Sequence, residues 1–152
     1  MSQQLSPNSD SSLSPKTFVN GISAINDFVV KFANVNGTGS ASANAMFVKG
    51  VFRMGVPVSP RNIFPSNIQG LPTWYEVRIS EQGYMARREG VDLMVAVNAQ
   101  TFLDDVAAVN SGGYLLYDST KPLIASQIRE DIHYIGIPLT RLCLEIYGNV
   151  KA

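Results

Sequence analysis

The chain is short of the residues from which reactive sites are usually built. It holds one cysteine, Cys143, and one histidine, His133, in 152 residues. A single cysteine excludes an internal disulfide and a thiolate-held cluster, and a lone histidine cannot assemble a zinc site. Acid is missing from a long stretch. Between Phe28 and Tyr75 there is no Asp or Glu, while Lys31, Lys49, Arg53 and Arg61 give that stretch a charge of +4. Residues 76–152 carry ten acids against seven bases, or −3, and the chain as a whole is neutral. That balance argues for neither nucleic acid nor an anionic membrane as a partner. No apolar run reaches membrane-spanning length, and the N-terminus lacks the pattern of a secretory signal, so a reduced cytoplasm is the expected compartment.

What is present reads as one domain of ordinary apolar content, 45%. Residues 1–21, rich in Ser, Pro, Gln and Asn, read as a disordered leader, with the domain expected over 22–152. "DFVVKFANV" alternates and is β-branched, which predicts a strand over Phe28–Val35. Ala43, Met46, Phe47, Val51 and Met54 recur at helical steps and predict an amphipathic helix stopped by Gly55 and Pro57. "GVPVS" predicts a short second strand. Residues 59–73, with Pro60, Pro65, Gly70 and Pro72, read as a long loop. A half-exposed strand is expected over 74–80, and a strand buried on both faces over 91–98. A helix capped by Asn98 is expected through Val109, stopped by Ser111-Gly112-Gly113. Strands over 114–118 and 132–138 and a final helix with the stripe Leu139, Leu142, Cys143, Ile146 and Tyr147 complete the pattern. Together these predict an α/β, Rossmann-like layered domain with a mostly parallel sheet and one antiparallel strand.

The most informative short stretch is "NVNGTGSASANAMF", residues 34–47. A strand, then Gly37-Thr38-Gly39, then a helix is the geometry that aims bare backbone N–H groups and a positive helix end at an anion. The same pattern also serves a sharp strand-to-helix connection with no ligand at all. A dinucleotide fits poorly, because the third fingerprint position is Ser42 and the ribose-binding acid expected about 20 residues on is missing. No Gly-Lys-Ser/Thr follows, so a Walker-type loop fails as well. A phosphate-rich ligand whose ribose needs no carboxylate remains, and coenzyme A is one such ligand.

"KFANVNGTGSASA" (31–43), "FPSNIQGLPTWYEVRIS" (64–80) and "VDLMVAVNAQTF" (91–102) follow one another in this order. Together they resemble the gamma domain of 2-oxoacid:ferredoxin (acceptor) oxidoreductases, most of all the N-terminal gamma region of the 2-oxoglutarate-type alpha subunit. The likeness runs from about Asp27 to Gly148. It implies a complete enzyme that cleaves a 2-oxoacid on thiamine diphosphate and magnesium. Electrons would pass through iron–sulfur clusters to ferredoxin, and the acyl group to coenzyme A. The gamma domain itself would carry neither thiamine nor clusters. It would serve the coenzyme A side and dock on the thiamine-binding alpha region and the beta subunit. By the resemblance, Gly37, Thr38, Gly39 and Ser40 take the phosphate contact. The family's glycine loop often reads Gly-Gly-Gln-Gly, where this chain has fewer glycines and the amides of Asn34 and Asn36. Gln69-Gly70-Leu71 stands where many members have Arg-Gly-Gly, removing an anion contact. Asn67, Gln69, Gly70 and Thr73 then become a loop for ligand or partner subunit. Family members continue beyond the last helix, so a domain truncated at its C-terminus is expected.

The remaining candidates divide between site and scaffold. Asn98 ends a buried strand, where open α/β sheets place ligands, and joins the coenzyme A set while also suiting a helix cap. His133 reads as a half-buried packing residue and Cys143 as core. Asp104 and Asp105 diverge on the helix surface and read as a solvated face. Arg87-Arg88 reads as surface or subunit contact. No nucleophile–base pair or metal set can be assembled, so no catalytic residue is expected and the role is positional. A free-standing Rossmann-like NAD(P) module and a pure assembly domain stand as the alternatives.

Overall fold

The computed structural model describes residues 20–34, 39–64 and 72–148. Its elements run β1 (Asp27–Asn34), α1 (Ser40–Arg53), β2 (Val58–Ile63), β3 (Thr73–Ser80), β4 (Val91–Ala96), α2 (Phe102–Ala108), β5 (Val109–Asp118), β6 (His133–Ile137) and α3 (Leu139–Tyr147). Among the described residues the strands form one sheet in the order β2-β3-β1-β4-β5-β6. The pairings β1–β4, β4–β5 and β5–β6 are parallel, whereas β3 runs against both β1 and β2. This is the expected layered α/β architecture with one reversed strand. Of the leader expected over 1–21, residues 1–19 lie outside the described residues.

Each face of the sheet carries its own core. On one face Val30, Val77 and Ile79 meet Val51 of α1, and Phe32 meets Phe47 edge-on with centroids 5.3 Å apart. On the other, Met94, Ala96 and Leu115 meet Val106 of α2 and Ile132. Met94 and Leu115 are fully enclosed, each contributing about 1.5–3 kcal/mol by removal from water. That two-sided cover explains why "VDLMVA" reads as an unbroken apolar run.

Several expectations fail for identifiable reasons. Residues 58–63 form β2, which starts three residues later than the expected strand and runs on into the expected loop. Pro60 is tolerated there because β2 is the sheet edge, where a missing N–H deprives no second neighbour. β3 has no exposed face: Glu76, Arg78 and Ser80 are all buried. The segment after β3 folds back over them, with the Met85 carbonyl accepting from Ser59 and Arg61 and with Arg87 paired to Glu76. Helix α2 stops at Ala108, and Ser111-Gly112-Gly113 lies inside β5, where the register with β4 shifts between Val91 and Leu93. Glycine suits such an irregularity, and Gly112 has φ +76 with the Asn20 carbonyl where a Cβ would be. On α1, Met46 and Met54 are exposed, because the helix turns Asn44, Phe47, Val48 and Val51 inward instead. Helix α3 buries none of its residues, and Cys143 is exposed rather than core. Among the described residues, no helix is long and apolar enough to cross a membrane.

Candidate functional site

The sheet order creates one special place. From β1 the chain crosses through α1 to β2 on one side, whereas from β4 it crosses through α2 to β5 on the other. β1 and β4 are adjacent and parallel, so their carboxyl ends part beneath two diverging connections. In open α/β sheets such a switch point is where ligands bind.

Asparagines line this crevice. Asn34 ends β1, and Asn98 follows β4; both are buried. The Asn98 amide donates to the Asn34 carbonyl at 3.0 Å, and its oxygen accepts from the Gln100 N–H at 3.0 Å. Asn98 therefore closes an Asx turn and ties the two strand ends together. It does not cap α2, whose N-cap is Thr101. On the opposite wall, Asn44 of α1 donates to the Asn34 side-chain oxygen at 2.9 Å. Helix α1 opens at Gly39, held at φ 75 in the left-handed region, with no side chain capping it and no acid in its first turn. Its leading N–H groups have no partner within the helix and no side-chain cap among the described residues. Ser40 is the first helical residue and half-buried. Gly37, Thr38 and Asn36 lie outside the described residues, as do Asn67, Gln69 and Gly70. Thr73 opens β3 opposite Asn34 in the ladder.

The α2 side of the crevice carries residues that sequence reasoning placed elsewhere. Asp105, expected on a solvated face, is 1% exposed. One of its oxygens accepts from Trp74 Nε1 at 2.7 Å and the other from Thr101 Oγ1 at 2.7 Å. Burial pushes the Asp105 carboxyl up from its ordinary value, against the pull of those two hydrogen bonds and of Lys31. Asp104 is exposed, as expected. Lys31 points to the same side, its ammonium 5.2 Å from the Trp74 ring centroid. The polar chain from Asn44 through Asn34, Asn98, Thr101 and Asp105 to Trp74 thus spans the crevice from one helix to the other. A cavity of about 320 Å³ adjoins it, between the carboxyl ends of β4 and β5, with Phe102, Tyr117, Lys121 and Gln127 in its wall.

The other candidates fall away from this place. His133 is half-buried and stacked on Tyr114 at 4.9 Å, with Nε2 unpartnered beneath Gly21. Arg88 pairs with buried Asp92, which also accepts from the Val29 N–H and from Asn110, so this group secures the amino end of β4. Among the described residues no group of His, Cys, Asp and Glu could hold a metal ion.

Three solved structures similar to this chain come from oxidoreductases that act on 2-oxoacids. A 2-oxoglutarate:ferredoxin oxidoreductase from Magnetococcus marinus, solved with 2-oxoglutarate, coenzyme A and succinyl-CoA bound, is similar with a TM-score of 0.70 and 22% identity. The match covers 80% of this chain but only 22% of that one. The pyruvate oxidoreductase subunit PORC from Thermotoga maritima matches with a TM-score of 0.61 at 18% identity, over 80% of this chain and 67% of the subunit. The gamma subunit of a keto/oxoacid ferredoxin oxidoreductase from Geobacter sulfurreducens does so at 0.62 and 18%, with the same coverage. No curated protein sequence matches. At these identities the likenesses establish a shared fold. In sequence, residues 29–152 match the pyruvate ferredoxin/flavodoxin oxidoreductase family, and the chain belongs to that family.

Proposed function

We propose that this chain is the gamma domain of a thiamine-dependent 2-oxoacid:ferredoxin oxidoreductase, with 2-oxoglutarate as the favoured substrate. Its task is to hold part of coenzyme A and to dock on the subunits that carry thiamine diphosphate, magnesium and iron–sulfur clusters. The observation that carries the reading is the bare amino end of α1, opened by left-handed Gly39 at the β1–β4 switch point. A diphosphate or 3′-phosphate there would meet leading N–H groups that have no partner within the helix, and a positive helix end. The cavity at the carboxyl ends of β4 and β5 offers room for a part of the carrier. A relative of the same fold has coenzyme A and succinyl-CoA bound, which supports this choice of ligand.

The chain's own chemistry is positional. Holding the carrier in place converts a bimolecular acyl transfer into an internal one and removes part of its entropic barrier. A cluster takes four thiolates, and the single cysteine of this chain does not fit it. Docking is supported by apolar groups left uncovered among the described residues: Ile146 and Tyr147 on α3 are each 70% exposed, and Ile135 on β6 is 41% exposed.

The NAD(P) alternative loses ground on topology. A dinucleotide site takes its ribose-binding acid from the end of a second parallel strand beside the first. Here reversed β3 separates β1 from β2, and β2 contains no acid. The test is titration of the assembled enzyme with coenzyme A, desulfo-coenzyme A and NAD(P), alongside a Gly39→Leu variant. Binding of the first two alone, lost in the variant while native mass spectrometry shows an intact complex, supports the reading. Unchanged coenzyme A affinity in Gly39→Leu refutes the loop assignment.

A further inference from the structure

The second face of the sheet, opposite α1, carries a half-buried cation that no acceptor among the described residues bonds. Lys31 lies on β1 opposite Glu76 in the ladder, and Ala33 lies opposite Trp74. By leaning over the Trp74 ring, the Lys31 ammonium is carried toward the carboxyl end of the strand, where the crevice opens. Its neighbouring acids are already engaged. Glu76 accepts from Arg87, and both Asp105 oxygens are taken by Trp74 and Thr101. Among the described residues, neither a hydrogen bond nor an ion pair reaches the ammonium, which lies over the indole face.

Such an arrangement is costly unless something else completes it. A desolvated ammonium needs acceptors, and an aromatic face compensates only in part. Burial pulls the Lys31 pKa down from its ordinary value, while Glu76 and Asp105 push it up and Arg87 pulls it down further. The charged groups facing it are therefore Glu76 from β3, Asp105 from α2 and Arg87 from the segment after β3. We propose that Lys31 and Trp74 form an oxyanion-binding subsite on the α2 side of the crevice, taking a phosphoryl or carboxylate group of a bound ligand. The ammonium supplies the charge and free donors, and the Asp105 bond to Trp74 Nε1 fixes the ring that steers it. This subsite lies across the sheet from the amino end of α1 and does not depend on which carrier that helix binds.

The chain contains one tryptophan, so Trp74 reports on its own site. The experiment is a fluorescence titration of the full chain at constant ionic strength with sodium pyrophosphate, sodium succinate and coenzyme A, each separately. Saturable binding of at least one is expected, strengthening as pH falls through the lowered Lys31 titration, because an anion favours the protonated amine. Lys31→Met should weaken it roughly 10- to 100-fold, the worth of a charge-assisted hydrogen bond, and Lys31→Arg should retain most of it. Pyrophosphate and coenzyme A competing for one site assign it to a phosphate tail, whereas preference for succinate assigns it to a carboxylate. In both cases Lys31→Met should fold at least as stably as the parent, since it removes a half-buried charge whose desolvation outweighs the pull of Glu76 and Asp105. The proposal is overturned if no probe saturates, or if Lys31→Met binds as tightly as the unmodified chain. Marked destabilisation of Lys31→Met with unchanged affinity would instead make Lys31 a structural cation.

Discussion

Removing the Asp105 carboxylate is the sharpest test of whether the polar chain across the crevice holds the two halves of the sheet together. Asp105→Ala strands two donors, the Trp74 indole N–H and the Thr101 hydroxyl. A donor left buried without a partner costs about 1–3 kcal/mol. The Thr101 hydroxyl has a second acceptor within reach, the Asn98 carbonyl at 3.3 Å, so its loss lies at the low end. The expected destabilisation is about 2–4 kcal/mol. For a chain of this size that lowers Tm by roughly 5–15 °C. Asp105→Asn keeps one acceptor oxygen and should cost roughly half as much. The pH dependence gives a second signature. Burial raises the folded-state pKa above the ordinary 3.8, so the folded chain binds the proton more tightly than the unfolded one. The Asp105 contribution therefore falls as pH rises from 3.8 through the folded value, and Asp105→Asn should lack that slope. Urea denaturation followed by Trp74 emission measures both effects. A Thr101→Val, Asp105→Ala cycle should also show coupling, because the two residues share a hydrogen bond. A change below about 0.5 kcal/mol in Asp105→Ala, the range of ordinary surface substitutions, together with unshifted emission, would refute the bridging role.

Three further outcomes follow from separate parts of the molecule. Gly21→Ala places a Cβ 2.1 Å from Tyr114 Oη and 3.2 Å from His133 Nε2; it should cost about 1–3 kcal/mol by overpacking and speed amide exchange at Ile22, whose N–H bonds the Gly112 carbonyl. At Asp118, partial burial raises the carboxyl, but hydrogen bonds from Thr140 and Thr120 outweigh it and hold the pKa at about 2. Its stabilisation is present above 3.8 and lost as pH falls toward 2; after allowance for solvent screening it amounts to about 1 kcal/mol, and acid titration of Asp118→Asn should lack it. Asn98→Ala removes the tie between the ends of β1 and β4; a loss of about 1–3 kcal/mol is expected, and on the proposed function coenzyme A affinity of the assembled enzyme should fall alongside.

The fold was legible wherever periodicity reports burial. The apolar run of β4 and the helical stripe of α2 gave a mostly parallel layered sheet, and the glycine turn marked the start of α1. Legibility ended where the environment is set by distant chain. The stripe on α3 has helical spacing, yet nothing among the described residues covers it, and periodicity cannot say which surface an amphipathic helix meets. Pro60 spoke for a loop because the local pattern does not reveal that β2 is an edge. The site was half visible: Gly39, Asn34 and Asn98 stand beside strand ends, where function was expected. Asp105 was not, because only the fold brings Trp74, 31 residues away, within 2.7 Å of it. A buried Asp beside an exposed one in adjacent helical positions leaves no trace in sequence.

The reversed strand β3 accounts for much of what distinguishes this crevice. Had the strand beside β1 been parallel, its carboxyl end would have reached the ligand side and could have offered an acid to a ribose. Because β3 runs the other way, its amino end arrives there instead, bringing Thr73 and Trp74 up against Asn34 and Ala33. The indole then fills the space beside β1 on the α2 face and finds its acceptor on α2. The same reversal sets Glu76 opposite Lys31, with Arg87 paired to the Glu76 carboxylate. One change of strand direction thus disfavours a dinucleotide site and leaves a cation facing the crevice. On the proposed function, both consequences suit a ligand recognised by its phosphates or carboxylates rather than by its ribose.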